Sequence, residues 1–353
     1  MKTPFTILAA LTVATTVVAR PFPTNGTELN KHAMIDRLAD VPDEWDIIEL
    51  SFGEPTSVDS GEIKFAMCPK TECPNVESEE EFKAAIKAKR AKGKKVLLSI
   101  GGQNGQVQLK TTEARDKFVS SVGGIIDKYG LDGLDIDFEG HSLYLDQGDT
   151  DFKNPKTSVV VNLIAALKSL KEKYGKAFVL TMAPETFFVQ LGYSSYGPSN
   201  GNDARAGSYL PVIHAMRDDL TVLQVQNYNS GPIIGLDDQY HNVGTPDFLI
   251  AMADMLKAGF PVAKTNNTFP PLREDQIAIG LPSTVSAGNG FVDEKGVQDA
   301  LNCLMKGESC GTYKPRGGKS PSFRGLMAWS INWDKFSNWG FLNPHRKYLD
   351  SFP

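Results

Sequence analysis

Strand-like and helix-like segments alternate along this chain from Asp46 almost to its C-terminus. Runs rich in apolar and β-branched residues at 46–52, 95–100, 131–139, 177–183, 221–228, 276–281 and 324–331 read as strands. Between them, 79–92, 112–129, 158–174, 208–217, 245–258 and 294–305 read as helices. Phe82, Ala85 and Ile86 recur on one side of the first helix, and Phe118, Val122, Ile125 and Ile126 on one side of the second. Thr245 and Pro246 suit the N-cap and first position of the fifth. Strict alternation of this kind implies an α/β fold with a parallel sheet. For a chain of 353 residues built from about eight such units, a closed (β/α)8 TIM barrel fits better than an open doubly wound sheet. No Gly-x-Gly-x-x-Gly opens a helix after the first strand, which argues against dinucleotide binding, and no cofactor is expected. A barrel needs one more strand before Asp46. The available segment is Val13–Phe22.

That segment competes with a second reading. Lys2 is followed by an uncharged stretch from Phe5 to Ala19, and Val17-Val18-Ala19 suits cleavage before Arg20. Residues 1–19 thus read as a signal peptide and 20–353 as a single catalytic barrel domain, with a buried element of the domain as the alternative. The apolar run is too short to span a membrane, and no later run of about 20 apolar residues appears, so no membrane span is expected. Export agrees with the sequons beginning at Asn25 and Asn266. It also agrees with four cysteines in two close pairs, Cys68/Cys73 and Cys303/Cys310, read as local disulfides. Metal binding is the rival reading of those pairs, but neither has zinc-site spacing or a nearby histidine, and no metal is expected. A formal charge of −5 argues against nucleic acid as a partner.

The chemistry is concentrated in Leu131-Asp-Gly-Leu-Asp-Ile-Asp-Phe-Glu-Gly140. Alternate residues of a strand face opposite sides, so Asp135, Asp137 and Glu139 share one face and Leu134, Ile136 and Phe138 the other. In a barrel the apolar set meets the helices and the acids line the interior. Acids stacked ~6–7 Å apart cannot all be ionised cheaply; they must share protons, pair with donors or open onto solvent. An exposed strand with its polar face in water and a carboxylate metal site are the competing readings. Barrel active sites lie at the C-terminal ends of the strands. Glu139 sits there with the aspartates beneath it, an arrangement that raises its pKa and suits a general acid.

Asp132-x-x-Asp135-x-Asp137-x-Glu139 resembles the signature of family 18 glycoside hydrolases. Ser99-Ile-Gly101-Gly102, Thr181-Met182-Ala-Pro-Glu185, Gln226-Asn-Tyr228-Asn229 and Met327-Ala-Trp329-Ser-Ile-Asn-Trp-Asp334 resemble further motifs of that family, in the family's order. The closest likeness is to compact bacterial-type chitinases also found in filamentous fungi. The resemblance implies a chitinase that uses the substrate's own acetamide as nucleophile. Glu139 would be the acid and then the base, Asp137 would orient the acetamide, and Asp135 would exchange a proton or hydrogen bond with Asp137. Tyr228 would bond the acetamide carbonyl and Trp329 would floor the −1 sugar site. Met182 and Gln226 would shape the wall near the acetamide, with Asn229 beside the substrate. Asp132, Ser99, Gly101 and Gly102 would be structural.

Two departures stand out. The family's first-strand aromatic pattern is missing before Asp46, and Asn227 replaces the aromatic common beside the tyrosine. No insertion resembling the extra α+β domain of deep-tunnel chitinases interrupts the last two strands, so an open cleft and endo-type cleavage are expected. The partner would be chitin or chito-oligosaccharides, met by a secreted monomer. The competing functions are an endo-β-N-acetylglucosaminidase acting on N-glycans and a non-catalytic chitin-binding lectin on the same fold.

Overall fold

In the computed structural model, which describes residues 6–12, 37–71, 73–198 and 201–352, the apolar runs form parallel strands of a closed barrel. They are β1 (Thr6–Thr12), β2 (Ile47–Pro55), β3 (Lys95–Gly101), β4 (Gly133–Asp137), β5 (Val179–Met182), β6 (Val222–Gln226), β7 (Ile277–Pro282) and β8 (Gly325–Trp329). Neighbours in the chain are neighbours in the sheet, and β1 pairs with both β2 and β8, which closes the ring. The helices α1 (Glu79–Ala91), α2 (Thr112–Tyr129), α3 (Ser158–Tyr174), α4 (Leu210–Met216), α5 (Pro246–Ala258) and α6 (Glu294–Lys306) link successive strands from β2 onward. Two short helices not expected from the sequence, α7 (Ile331–Phe336) and α8 (Leu342–Leu349), follow the last strand.

Local chemistry fixes the helix ends. Ser78 and Glu81 form a reciprocal capping box at α1. Thr111, Thr245 and Asp293 each accept a backbone N–H at the starts of α2, α5 and α6. Gly130 and Gly307 end α2 and α6 in the left-handed region that favours glycine. The disulfide Cys303–Cys310 ties the end of α6 to the following loop, and Cys68–Cys73 closes a second small loop.

The strand period of two separates two interiors. Leu98, Ile100, Leu134, Ile136 and Leu180 face outward into a core shared with Phe118, Val122, Leu163 and Leu167 of the helices. Ile47, Leu97, Val179, Val222 and Ala278 face inward near the strands' N-terminal ends and make an apolar floor. Above that floor the inward residues turn polar.

Two expectations need correction. The strand that closes the barrel is Thr6–Thr12, not Val13–Phe22, which lies outside the described residues. The closing strand falls inside the stretch read as a signal peptide, because an apolar run suits either use. The acidic strand is also shorter than 131–139. It ends at Asp137, since the N–H of Phe138 donates to the Tyr209 hydroxyl (2.7 Å) rather than to a neighbouring strand.

Candidate active site

The acids of β4 stand in the polar half of the barrel. Asp135 and Asp137 are 1% and 7% exposed, and Glu139 lies just past the strand end, partly buried. Donors from other strands of the barrel meet each of them. Asp135 accepts from Ser99 Oγ of β3 (2.7 Å) and Thr181 Oγ1 of β5 (2.7 Å). The amide nitrogen of Gln226, on β6, lies 2.9 Å from Asp137 Oδ1, 2.9 Å from Glu139 Oε1 and 2.9 Å from the carbonyl of Ala183. One side chain thus joins the outer two acids of the ladder.

Burial dominates the electrostatics. It raises the pKa of Asp137 well above the usual carboxylate range, and the nearby negative charges of Glu139, Asp135 and Glu49 raise it further. Burial also raises Glu139, against the lowering effect of the Gln226 hydrogen bond. Asp135 is raised by burial but held back by Ser99, Thr181 and Gln224, its three donors. A proton is therefore favoured on the outer acids at a pH where an exposed carboxylate has lost it.

Small residues let the acids pack. Gly101 adopts a positive φ of 125°, and a Cβ there would lie 1.9 Å from the Asp137 carbonyl oxygen. The N–H of Gly102 donates to that same carbonyl (2.7 Å). Asp132 sits at the strand entry, where its carboxylate accepts from Val96 N (3.0 Å) and pairs with Arg90 (3.1 Å). Tyr228 and Trp329 line the same small cavity as Asp137 and Gln226. Tyr228 is buried, and Trp329 is half-buried with its ring stacked on Phe52 at 5.9 Å. The family model for glycosyl hydrolases family 18 matches residues 30–270.

This chain belongs to glycosyl hydrolase family 18. It is 94% identical over its whole length to the "Probable class II chitinase" of Arthroderma benhamiae, which it also covers completely. It is 67% identical over 316 residues to "Exochitinase 1" of Streptomyces olivaceoviridis, covering 89% of this chain and 53% of that protein, so it spans about half the bacterial relative's length. Among solved structures, a family 18 chitinase from Chromobacterium violaceum superposes with a TM-score of 0.84 at 35% identity, covering 99% of this chain and 85% of that one.

Ser99, Asp135, Asp137, Gln226, Tyr228 and Trp329 line one small cavity of the barrel, and Gln226 links Glu139 to it. Met182 does not join them. Its neighbour Thr181 faces inward, so strand alternation turns Met182 outward into the helix-side core, and Ala183 takes the wall position instead. Asn229 is exposed, and its side-chain oxygen is committed to the N–H of Asn289 (2.8 Å), holding two loops together.

Several residues at the site were given no role by the sequence, although Thr181 and Glu185 lie within one of its motifs. Glu49, Thr181 and Gln224 surround Asp135 from three other strands. Only strand alternation through Glu49-Leu50-Ser51, with an acid on the inward side, hinted at the first. Tyr209, beyond α3, holds both the N–H and the carbonyl of Phe138 next to Glu139. Glu185 lies near enough to Glu139 to feel its charge; burial and that charge push it up to about 7, against Arg205. Among the described residues no group of three His, Cys, Asp or Glu side chains is arranged to hold a metal ion, and no helix is long and apolar enough to cross a membrane.

Proposed function

We propose that this family 18 enzyme is a chitinase, hydrolysing β-1,4 bonds between N-acetylglucosamine units with retention of configuration. The observation that carries the reading is Gln226 bridging Asp137 and Glu139 beside Tyr228 and Trp329. Glu139, kept protonated by burial, gives its proton to the glycosidic oxygen. The acetamide oxygen of the −1 sugar attacks C1 as the C1–O bond breaks, forming a cyclic oxazolinium ion. Asp137 accepts the acetamide N–H and offsets the positive charge, with Asp135 behind it to share a hydrogen bond. The Tyr228 hydroxyl bonds the acetamide carbonyl, and the Trp329 ring supports the apolar face of the sugar. Water then attacks C1 and returns its proton to Glu139.

Glu139→Gln is expected to lower kcat by ~10²–10⁴-fold with oligosaccharide binding retained. Near-normal turnover would remove Glu139 from this role. NMR of the first products should show the β-anomer at the new reducing end; an α-product excludes the acetamide route.

The enzyme is proposed to act within chains, because the segment joining β7 and β8 holds α6 and loops and no further sheet. The name of the Streptomyces relative favours the opposite reading, release from chain ends. Sizing the products of a long oligomer at early times separates the two. Export is proposed on the two disulfides and the exposed sequon residue Asn266; the other sequon, at Asn25, lies outside the described residues. Cleavage after Ala19 would remove β1, so the N-terminal sequence of secreted material reports which use those residues serve.

A further inference from the structure

Beneath the three acids of the signature lies a fourth. Glu49 of β2 is 2% exposed and points into the barrel, within reach of side chains that also meet Asp135. Two neutral side chains stand between these carboxyls. The Thr181 hydroxyl oxygen is 3.0 Å from Glu49 Oε1 and 2.7 Å from Asp135 Oδ1. The Gln224 amide nitrogen is 2.5 Å from Glu49 Oε1 and 3.2 Å from Asp135 Oδ1.

Counting hydrogens decides what this cluster requires. Thr181 brings one and the Gln224 amide two, so three hydrogens face four short contacts. The fourth contact needs a hydrogen on one of the carboxyls. Asp135 has a further donor, Ser99, on its other oxygen, so it is the better-served anion. Among the described residues no cation pairs with Glu49. The titratable groups that face it are Asp135 and Asp137 from β4 and, farther out, Tyr228 beyond β6. Among the described side chains, the neutral Thr181 of β5 and Gln224 of β6 bond it, and the neutral Ser99 of β3 and Met327 of β8 line the same cavity.

We propose that Glu49 is a positioning residue that stays protonated, donating to Thr181, which in turn donates to Asp135. The inference rests on the reading of Asp135 and Asp137 as a pair that shares a hydrogen bond behind the acetamide. An ionised Glu49 would place a second negative charge beside Asp135 and draw the shared proton down the ladder, away from Asp137 and the substrate. A protonated Glu49 leaves that proton with the outer pair. Burial and the charge of Asp135 act in the same direction, raising the Glu49 pKa.

The test has a spectroscopic and a kinetic arm, both on the full-length enzyme. The Glu49 carboxyl is expected to give a protonated C=O infrared band at pH 6–7, found as the difference between wild type and Glu49→Gln in the absence of substrate. An ionised carboxylate signal there overturns the proposal, whatever the fate of the catalytic reading. In the kinetic arm, Glu49→Ala should lower kcat by about tenfold or more with little change in KM. Glu49→Gln, a permanently uncharged replacement that can still donate to Thr181, should recover most of that loss with the pH profile in its original place. If Glu49 were ionised, its replacement by Gln would move the profile to lower pH by about one unit; that displacement, or failure of Gln to outperform Ala, overturns the proposal. Inactivity of Asp137 or Glu139 variants bears on the mechanism alone and leaves the infrared arm intact.

Discussion

Two neighbours pull the proton affinity of Glu139 in opposite directions. The Gln226 amide donates to it and favours the ionised form. Glu185 is close enough for the charge of Glu139 to raise its pKa, and the same repulsion, acting in return, favours the protonated form of Glu139. The alkaline limb of the pH–rate profile reports loss of the Glu139 proton, so the two substitutions should move it oppositely. Gln226→Met should raise the limb to higher pH while lowering kcat. Glu185→Gln should shift it to lower pH, by a fraction of a unit, because one negative charge is gone. Profiles of kcat/KM on a soluble oligomer check both, and shifts of the same sign would show that Glu139 does not set that limb. The residue scale is also where the sequence was most informative about chemistry. The alternation of Asp135, Asp137 and Glu139 with Leu134, Ile136 and Phe138 needs only the period of a strand to separate acids from core. The same rule, applied to Thr181 and Met182, would have placed Met182 outside.

Among the elements, the final helix carries a pH-sensitive contact. His345 of α8 is buried against the Phe341 ring at 4.5 Å, and its Nδ1 finds no partner among the described residues. Burial lowers its pKa from 6.5 to about 4. A histidine with a depressed folded pKa contributes stability that is fully present above the unfolded value and is lost as pH falls through the folded one. The window is therefore pH 6.5 to 4, and the loss across it is about 3 kcal/mol. Thermal unfolding followed across that range should show the decline, and His345→Phe should flatten it. An unchanged slope in the variant would assign the acid sensitivity to another group. The helix was not anticipated from the sequence, since a segment of only Leu342–Leu349 has too few turns for its periodicity to stand out.

For the molecule as a whole, closure of the ring depends on β1. Its backbone bridges β2 and β8 through residues Thr6–Thr12, so both of those strands would present open edges without it. A chain starting at Arg20 is expected to unfold at lower temperature than the full chain and to lose amide-exchange protection in β2 and β8. Equal melting temperatures and protection would show that the barrel does not need this strand. The outcome also bears on export, because the strand and the leader reading draw on the same residues.

What the sequence determined by itself was the order of elements from β2 to β8, the barrel class and the shared face of Asp135, Asp137 and Glu139. These follow from periodicity, capping residues and one dense motif, all of which are local along the chain. Tertiary structure alone decided which donor meets which acid. Glu49, Thr181, Gln224 and Gln226 come from three other strands, separated from the acids by 46 to 175 residues where they bond one another across the barrel. Tyr209, 71 residues away, holds the peptide before Glu139. The physical reason is that a parallel barrel brings distant strands into register around one axis, so the donors that set a proton's position are neighbours only once the ring has closed.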